Sequence, residues 1–295
     1  MVNRLPKTLW QLKPALHRLH NFNTKQVDFY PKISVYSTLM NLFQSIEETA
    51  KKGADGLTPE ARNSLVSAIQ RHCGTDGGHT DLSRKHSDPY YSFFAWLSLR
   101  ALSNTPPASL EQYFATCRVQ SPIDHFCKSF VQIHSMPAFK RILVSLCLLI
   151  RHPPHNPYVL FLSGLLMDIS FPRLAPLLLR LTRTKNTHAL STSRLAAQLL
   201  ANPRASKAPL IRKNLLLRHS ETGGFSSADN ASPDLLATAV ARIALSSESL
   251  DTSLDLLFTE ACWCPDGLFS AMPSISYGDV EHTYYALLVL GTCRA

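Results

Sequence analysis

No stretch of this 295-residue chain is long and apolar enough to cross a bilayer. The most apolar run, Ile142–Ile150, is nine residues long and stops at Arg151-His152, whereas a spanning helix needs about 20. Cysteines are few, odd in number and scattered, at 73, 117, 127, 147, 262, 264 and 293. No disulfide framework is legible, and reduced thiols in a cytoplasmic compartment are the expectation. The chain has no P-loop, no Gly-x-Ser-x-Gly and no His-Glu-x-x-His, so the chemistries those motifs carry have no basis in the sequence. Acid is missing from one long stretch: between Ile169 and Ser220 there are ten Lys or Arg and no Asp or Glu. That stretch is either a solvated basic rim or a surface for an acidic partner, a phosphate-bearing ligand or lipid headgroups. Nucleic-acid binding is not expected, because no binding motif is present and the basic residues are diluted by Leu-rich segments.

What is there is apolar and helical. With 45% hydrophobic and 17% charged residues, the chain can bury a large core. The first 25 residues carry Arg4, Lys7, Lys13, Arg18 and Lys25, with no acid before Asp28. This reads as a surface helix rather than a transit peptide, since it is not rich in Ser and Arg. A helix is expected over Ser34–Lys51, ended by Lys51-Lys52-Gly53, and Thr58-Pro59-Glu60 opens the next one, to about His72. Residues 1–53 are thus an N-terminal helical extension packed on a domain of residues 54–295.

One construction occurs three times: a Gly-containing turn, a polar loop, an Asp that caps a helix, then an apolar helix. The copies are Gly77-Gly78-His79 with Asp88, Gly223-Gly224-Phe225 with Asp234, and Gly267-Leu268-Phe269 with Asp279. Four residues beyond the Asp stand Ser92, Thr238 and Thr283, and seven beyond stand Ala95, Ala241 and Ala286. Nine beyond come Leu97, Ile243 and Leu288. The Asp carboxylate suits a helix start, where it accepts unpaired amides and faces the positive dipole end. Helices apolar nearly all round are buried on more than one side, and a repeated supersecondary unit implies a helical repeat architecture.

Gly-Gly-Phe, a polar loop and Pro-Asp-x-x-x-Thr leading an apolar helix resemble the repeat of protein prenyltransferase β subunits and squalene-type terpene cyclases. The resemblance implies an all-α fold, an (α/α)6 toroid with inner helices surrounded by outer ones. Outer helices are expected near Pro59, Ala108, Pro137, Arg173, Ala208 and Leu250, and inner helices near Asp88, Pro122, Pro157, Thr187, Asp234 and Asp279. Parallel inner helices would gather their N-terminal ends at one mouth of a central cavity. Candidate cavity and ligand-binding residues are Tyr90, Tyr91, Phe94, Trp96, Glu281, His282 and Tyr285. Aromatic walls and a polar mouth suit an apolar ligand with a polar head.

In that family a zinc ion, held by Asp, Cys and His, binds a substrate thiolate. Here the matching positions are Asp234, Leu236 and His282, and Leu236 cannot ligate a metal. The family's diphosphate-neutralising Arg and Lys fall on Ala228 and Ala231. The acid motif and repeat signatures of the terpene cyclases are also absent. The resemblance therefore implies a diverged member that binds an isoprenoid-like apolar ligand, or a partner's segment, in its cavity. The alternative is an active prenyl transferase with a rearranged site, in which His282 with Cys262 or Cys264 holds zinc and the Arg173–Arg218 surface supplies cations. A helical partner subunit docking on that basic surface is implied as well.

Overall fold

The computed structural model describes residues 42–80, 86–103, 105, 107–151, 157–171, 190–201, 203, 205–246, 248 and 250–294. Among them are twelve helices: α1 (Leu42–Asp55), α2 (Pro59–Arg71), α3 (Pro89–Ser103), α4 (Ala108–Thr116), α5 (Pro122–Ile133) and α6 (Ala138–Arg151), followed by α7 (Pro157–Ser170), α8 (Thr192–Ala201), α9 (Ala208–Leu216), α10 (Leu235–Ala244), α11 (Ser253–Ala261) and α12 (Val280–Thr292). A two-residue hairpin, β1 (Phe225–Ser226) with β2 (Pro233–Asp234), pairs antiparallel in the loop before α10. No described helix is long and apolar enough to cross a membrane.

The helix starts follow local chemistry. The Thr58 side chain accepts from Ala61 N at 3.2 Å and Pro59 opens α2. Ser121 and Asp124 make a reciprocal capping box on α5, which also begins with Pro. Asp234 and Asp279 cap α10 and α12, each accepting the amide three residues on at 2.7 Å. Asp88 accepts from Tyr90 N and Tyr91 N at 2.7 and 3.2 Å. Each cap satisfies amides that have no intrahelical partner.

Two expected boundaries differ. The helix beginning within the expected Ser34–Lys51 segment runs on to Asp55, and residues 34–41 lie outside the described residues. Gly53 therefore sits inside α1 and terminates nothing. It is small because α12 crosses there: a Cβ on Gly53 would lie 1.9 Å from Leu287 O, and one on Gly291 would lie 1.8 Å from Thr49 O. The division drawn after residue 53 falls within this helix. The start expected at Thr187, outside the described residues, is followed by α8 at Thr192.

The helices pack as a sequence of neighbours: α3 touches α5, then α5 α7, α7 α8, α8 α10, α10 α12, and α12 returns to α3. Helix α2 lies against α3, α4 against α3 and α5, α6 against α5 and α7, α9 against α8, and α11 against α12. Helix α1 spans α12, α3 and α7, and its first turn is tied to α7 by Phe43 N donating to Asp168 Oδ2 at 2.8 Å. Helices α3 and α12 are buried nearly all round, so polar–apolar alternation is lost there. Two apolar clusters meet on α10, with Leu235 and Ala239 in the larger and Ala237 and Ala241 in the smaller.

The three repeated turns share one hydrogen-bond scheme. Gly74, Ser220 and Cys264 donate their amides to the carbonyls of Gly78, Gly224 and Leu268 at 2.7, 2.9 and 2.9 Å. The His79, Phe225 and Phe269 amides donate to the hydroxyls of Ser92, Thr238 and Thr283 at 2.7, 2.9 and 3.1 Å. Thr238 and Thr283 in turn donate to the Asp234 and Asp279 carbonyls at 2.7 Å. The hydroxyl four residues past each Asp thus ties the turn to its helix. Gly77, Gly223 and Gly267 hold φ of +84°, +91° and +86°, where side chains are strained. The first turn rests on Ser109 of α4, the second on Leu254 of α11, and the third on Ser64 and Ala68 of α2. The last copy therefore leans on the second helix of the described chain, which Arg71 reinforces by donating to Asp266 O at 2.5 Å.

Candidate functional site

Helices α1, α3, α7, α8, α10 and α12 line an apolar cavity of about 190 Å³. Its wall follows the register of the repeats. Six residues past each capping Asp are Phe94, Val240 and Tyr285, and nine past are Leu97, Ile243 and Leu288; all six line the cavity. Positions six and nine lie on one face of a helix, so three copies in the same register present the same stripe inward. Leu236, Leu165 and a stripe of α8 around Ala196 and Leu200 continue the wall, and Phe43 and Ile46 of α1 complete it.

Of the residues expected in the cavity, Phe94 and Tyr285 line it. Trp96 is placed elsewhere. It stands eight residues past Asp88, two beyond Phe94 and therefore about 200° round the helix. There it is buried against Phe130 and His134, with the Arg100 guanidinium 4.7 Å from the ring centroid. Leu97, Val240, Ile243 and Leu288 were the wall residues without an aromatic or charged signal. The shared register of the three copies is the signal that reaches them.

The other expected residues do not line the cavity but gather beside two of its wall residues, Phe94 and Tyr285. Tyr90 OH donates to Glu281 Oε1 at 2.5 Å, and Tyr285 also hydrogen-bonds this carboxylate. The Phe94 ring joins the two tyrosines, its centroid 5.0 Å from that of Tyr90 and 5.4 Å from that of Tyr285. Tyr90, Leu236 and Glu281 occupy the same place in the three repeats, two past the Asp, which explains why the topology brings them to one rim. Tyr91 borders a shallow depression beside Tyr90, Asp88 and the α5 capping box.

His282 stands on this rim, its Nδ1 2.7 Å from Asp279 Oδ2. Burial disfavours the imidazolium, but the Asp279 hydrogen bond and the carboxylates of Asp279, Glu281 and Asp234 outweigh it and raise the pKa above the ordinary value. Burial raises the pKa of Glu281, against the lowering by Tyr90 and His282. Asp234 is likewise raised by burial, partly countered by the Ala237 amide and His282.

The donor set does not fit a zinc ion. Among the described residues, no three of His, Cys, Asp and Glu are placed to hold a metal. Asp234 caps α10 through Oδ1 and His282 Nδ1 bonds Asp279, which leaves His282 Nε2, but the third position, Leu236, lines the cavity and supplies no ligand atom. Burial pushes the Cys262 thiol up to about 12, and Cys264 Sγ lies against the Cys262 carbonyl. Ala228 and Ala231 border a separate polar pocket with Arg218 and Asp229. On the expected basic surface, Arg218 is buried and bonded to Asp229 and Thr192, whereas Lys207 and Lys213 are exposed. Arg173, Arg180, Arg183 and Lys185 lie outside the described residues.

No family model matches the chain, and no curated protein matches it.

Proposed function

We propose that eleven of the described helices, α2 to α12, belong to an (α/α)6 toroid of the prenyltransferase β subunit and terpene cyclase type, and that it binds an apolar ligand in its central cavity without the zinc-dependent transfer chemistry. Helices α3, α5, α7, α8, α10 and α12 are the inner ring of this reading, and α2, α4, α6, α9 and α11 are outer members. The closed order of neighbours supports it. So does the agreement of three turns in hydrogen bonding, glycine conformation and what each turn leans on.

The observation that carries the binding function is Leu236. At the position where the resembled family has its zinc-binding Cys stands a leucine that lines the cavity with Val240, Ile243 and Leu288. A leucine there exchanges a metal ligand for apolar wall. Filling such a wall with an apolar ligand is favourable at about 25 cal/mol per Å² of surface removed from water.

The test is the metal content of protein purified without chelator, together with extraction of what co-purifies. The expected result is substoichiometric zinc, unchanged by His282→Ala, and an apolar small molecule in the extract that Val240→Trp displaces. About one zinc per chain, lost in His282→Ala, together with transfer of a labelled prenyl group from its diphosphate, would replace this reading with a catalytic one.

A further inference from the structure

The cavity's size and the charge at its rim restrict the ligand further, an inference that rests on the apolar-ligand reading above. At about 190 Å³, the cavity is close to the roughly 150 Å³ apolar cavity that holds one benzene ring, an example from another protein. A tail of about one ring fits; a long isoprenoid chain would have to displace Phe43 and Ile46, which α1 places in the wall.

Charge decides the head. Neither the cavity nor the depression beside Tyr91 is lined by any Lys or Arg among the described residues. The groups that set the charge at the rim are Asp234, Asp279, Glu281 and His282, three carboxylates against one imidazole. Asp234 and Asp279 are occupied as helix caps. Glu281 differs: its bonds come from the phenols of Tyr90 and Tyr285, and Tyr285 is itself cavity wall. Glu281 is not itself part of the wall but stands behind it, bonded to the wall residue Tyr285, and a carboxylate beside two phenol rings is complementary to an ammonium, through charge and through the ring faces. It repels a phosphate.

We propose that the cavity takes a small apolar amine, its tail of about one aromatic ring among Leu97, Ile243 and Leu288 and its ammonium at the Glu281 carboxylate between Tyr90 and Tyr285.

The experiment is calorimetric titration of the full chain at pH 7 with 2-phenylethylamine, 2-phenylethanol and 2-phenylethyl phosphate, three probes that share one tail. The amine is expected to bind on the order of tenfold more tightly than the alcohol, and the phosphate most weakly. Glu281→Gln should bring the amine to the alcohol's affinity while leaving the alcohol unchanged, which also shows that the variant is folded. An alcohol or phosphate that binds as tightly as the amine overturns the assignment of the head and leaves the apolar-ligand reading standing. Failure of all three to bind overturns both.

Discussion

At the residue scale, two histidines give opposite pH dependences. His79 occupies the turn position held by Phe225 and Phe269 in the other copies, and it is buried there. The Ile69 carbonyl approaches its ring without completing a hydrogen bond, and neither ring nitrogen has another partner. Burial, with His72 nearby, lowers its pKa from 6.5 to about 4. The unfolded chain therefore takes up this proton first. Stability attributable to His79 is full above about pH 6.5 and falls by up to about 3 kcal/mol as pH drops to about 4. His79→Phe, copying its sister repeats, should flatten that slope in urea titrations across pH; an unchanged slope would show that His79 is not its origin. His282 runs the other way. Its folded pKa is raised, so its contribution is full below about 6.5 and is lost as pH rises through the folded value.

The linking hydroxyls make a second prediction at this scale. Thr238→Val keeps the shape but leaves the buried Phe225 amide unpaired, at a cost of about 1–3 kcal/mol. Thr283→Val should match it through Phe269, and denaturation midpoints near wild type would remove the hydroxyl from the account.

At the element scale, the turns separate two kinds of glycine requirement. Gly223 and Gly267 share the same left-handed φ, so alanine at either meets backbone strain of about 1–2 kcal/mol. A Cβ at Gly223 would lie 2.1 Å from Leu254 O, whereas at Gly267 the nearest atoms are 3.3 Å away. Gly223→Ala should therefore cost clearly more than Gly267→Ala; equal losses would mean that only φ matters. Helices α10 and α11 are joined by Arg242 and Asp255, with Nε against Oδ2 at 2.5 Å. The Asp255 carboxylate is fully buried and also receives Gly224 N at 2.6 Å and His219 Nε2 at 2.9 Å. Arg242→Met removes one partner of a buried pair, and a loss of about 3–5 kcal/mol is expected. A loss below 1 kcal/mol would show that the amide and His219 satisfy the carboxylate alone.

At the scale of the whole molecule, the two ends of the described chain are interdependent. Helix α1 is seated on α12 through Gly53 and Gly291, and the third turn is seated on α2. One cooperative urea transition is expected, followed alike by tryptophan fluorescence and circular dichroism. Gly291→Leu forces α1 and α12 apart and should lower the midpoint of that single transition. Two separated transitions in the wild type would mean that the ends fold independently.

Much of this was legible in the residues. Pro59, Pro122, Pro157, Asp234 and Asp279 marked helix starts because a missing amide or a capping carboxylate acts within one turn of chain. The Asp, Ser/Thr and Ala register announced three copies, and with them the orientation of α3, α10 and α12. Tertiary structure alone decided the rest. Gly53 reads as a helix stop until α12 is laid across it, since a glycine's sequence context is the same for both roles. Trp96 reads as a cavity aromatic until the rotation of α3 is fixed by its neighbours. Leu97, Ile243 and Leu288 look like ordinary core leucines and isoleucine until three helices turn the same stripe to one space. Glu281 meets Tyr90 across 191 positions. The sequence determines what a residue does within its own turn of helix, where the partners are a few bonds away; which side of that helix becomes wall, core or rim depends on packing between helices.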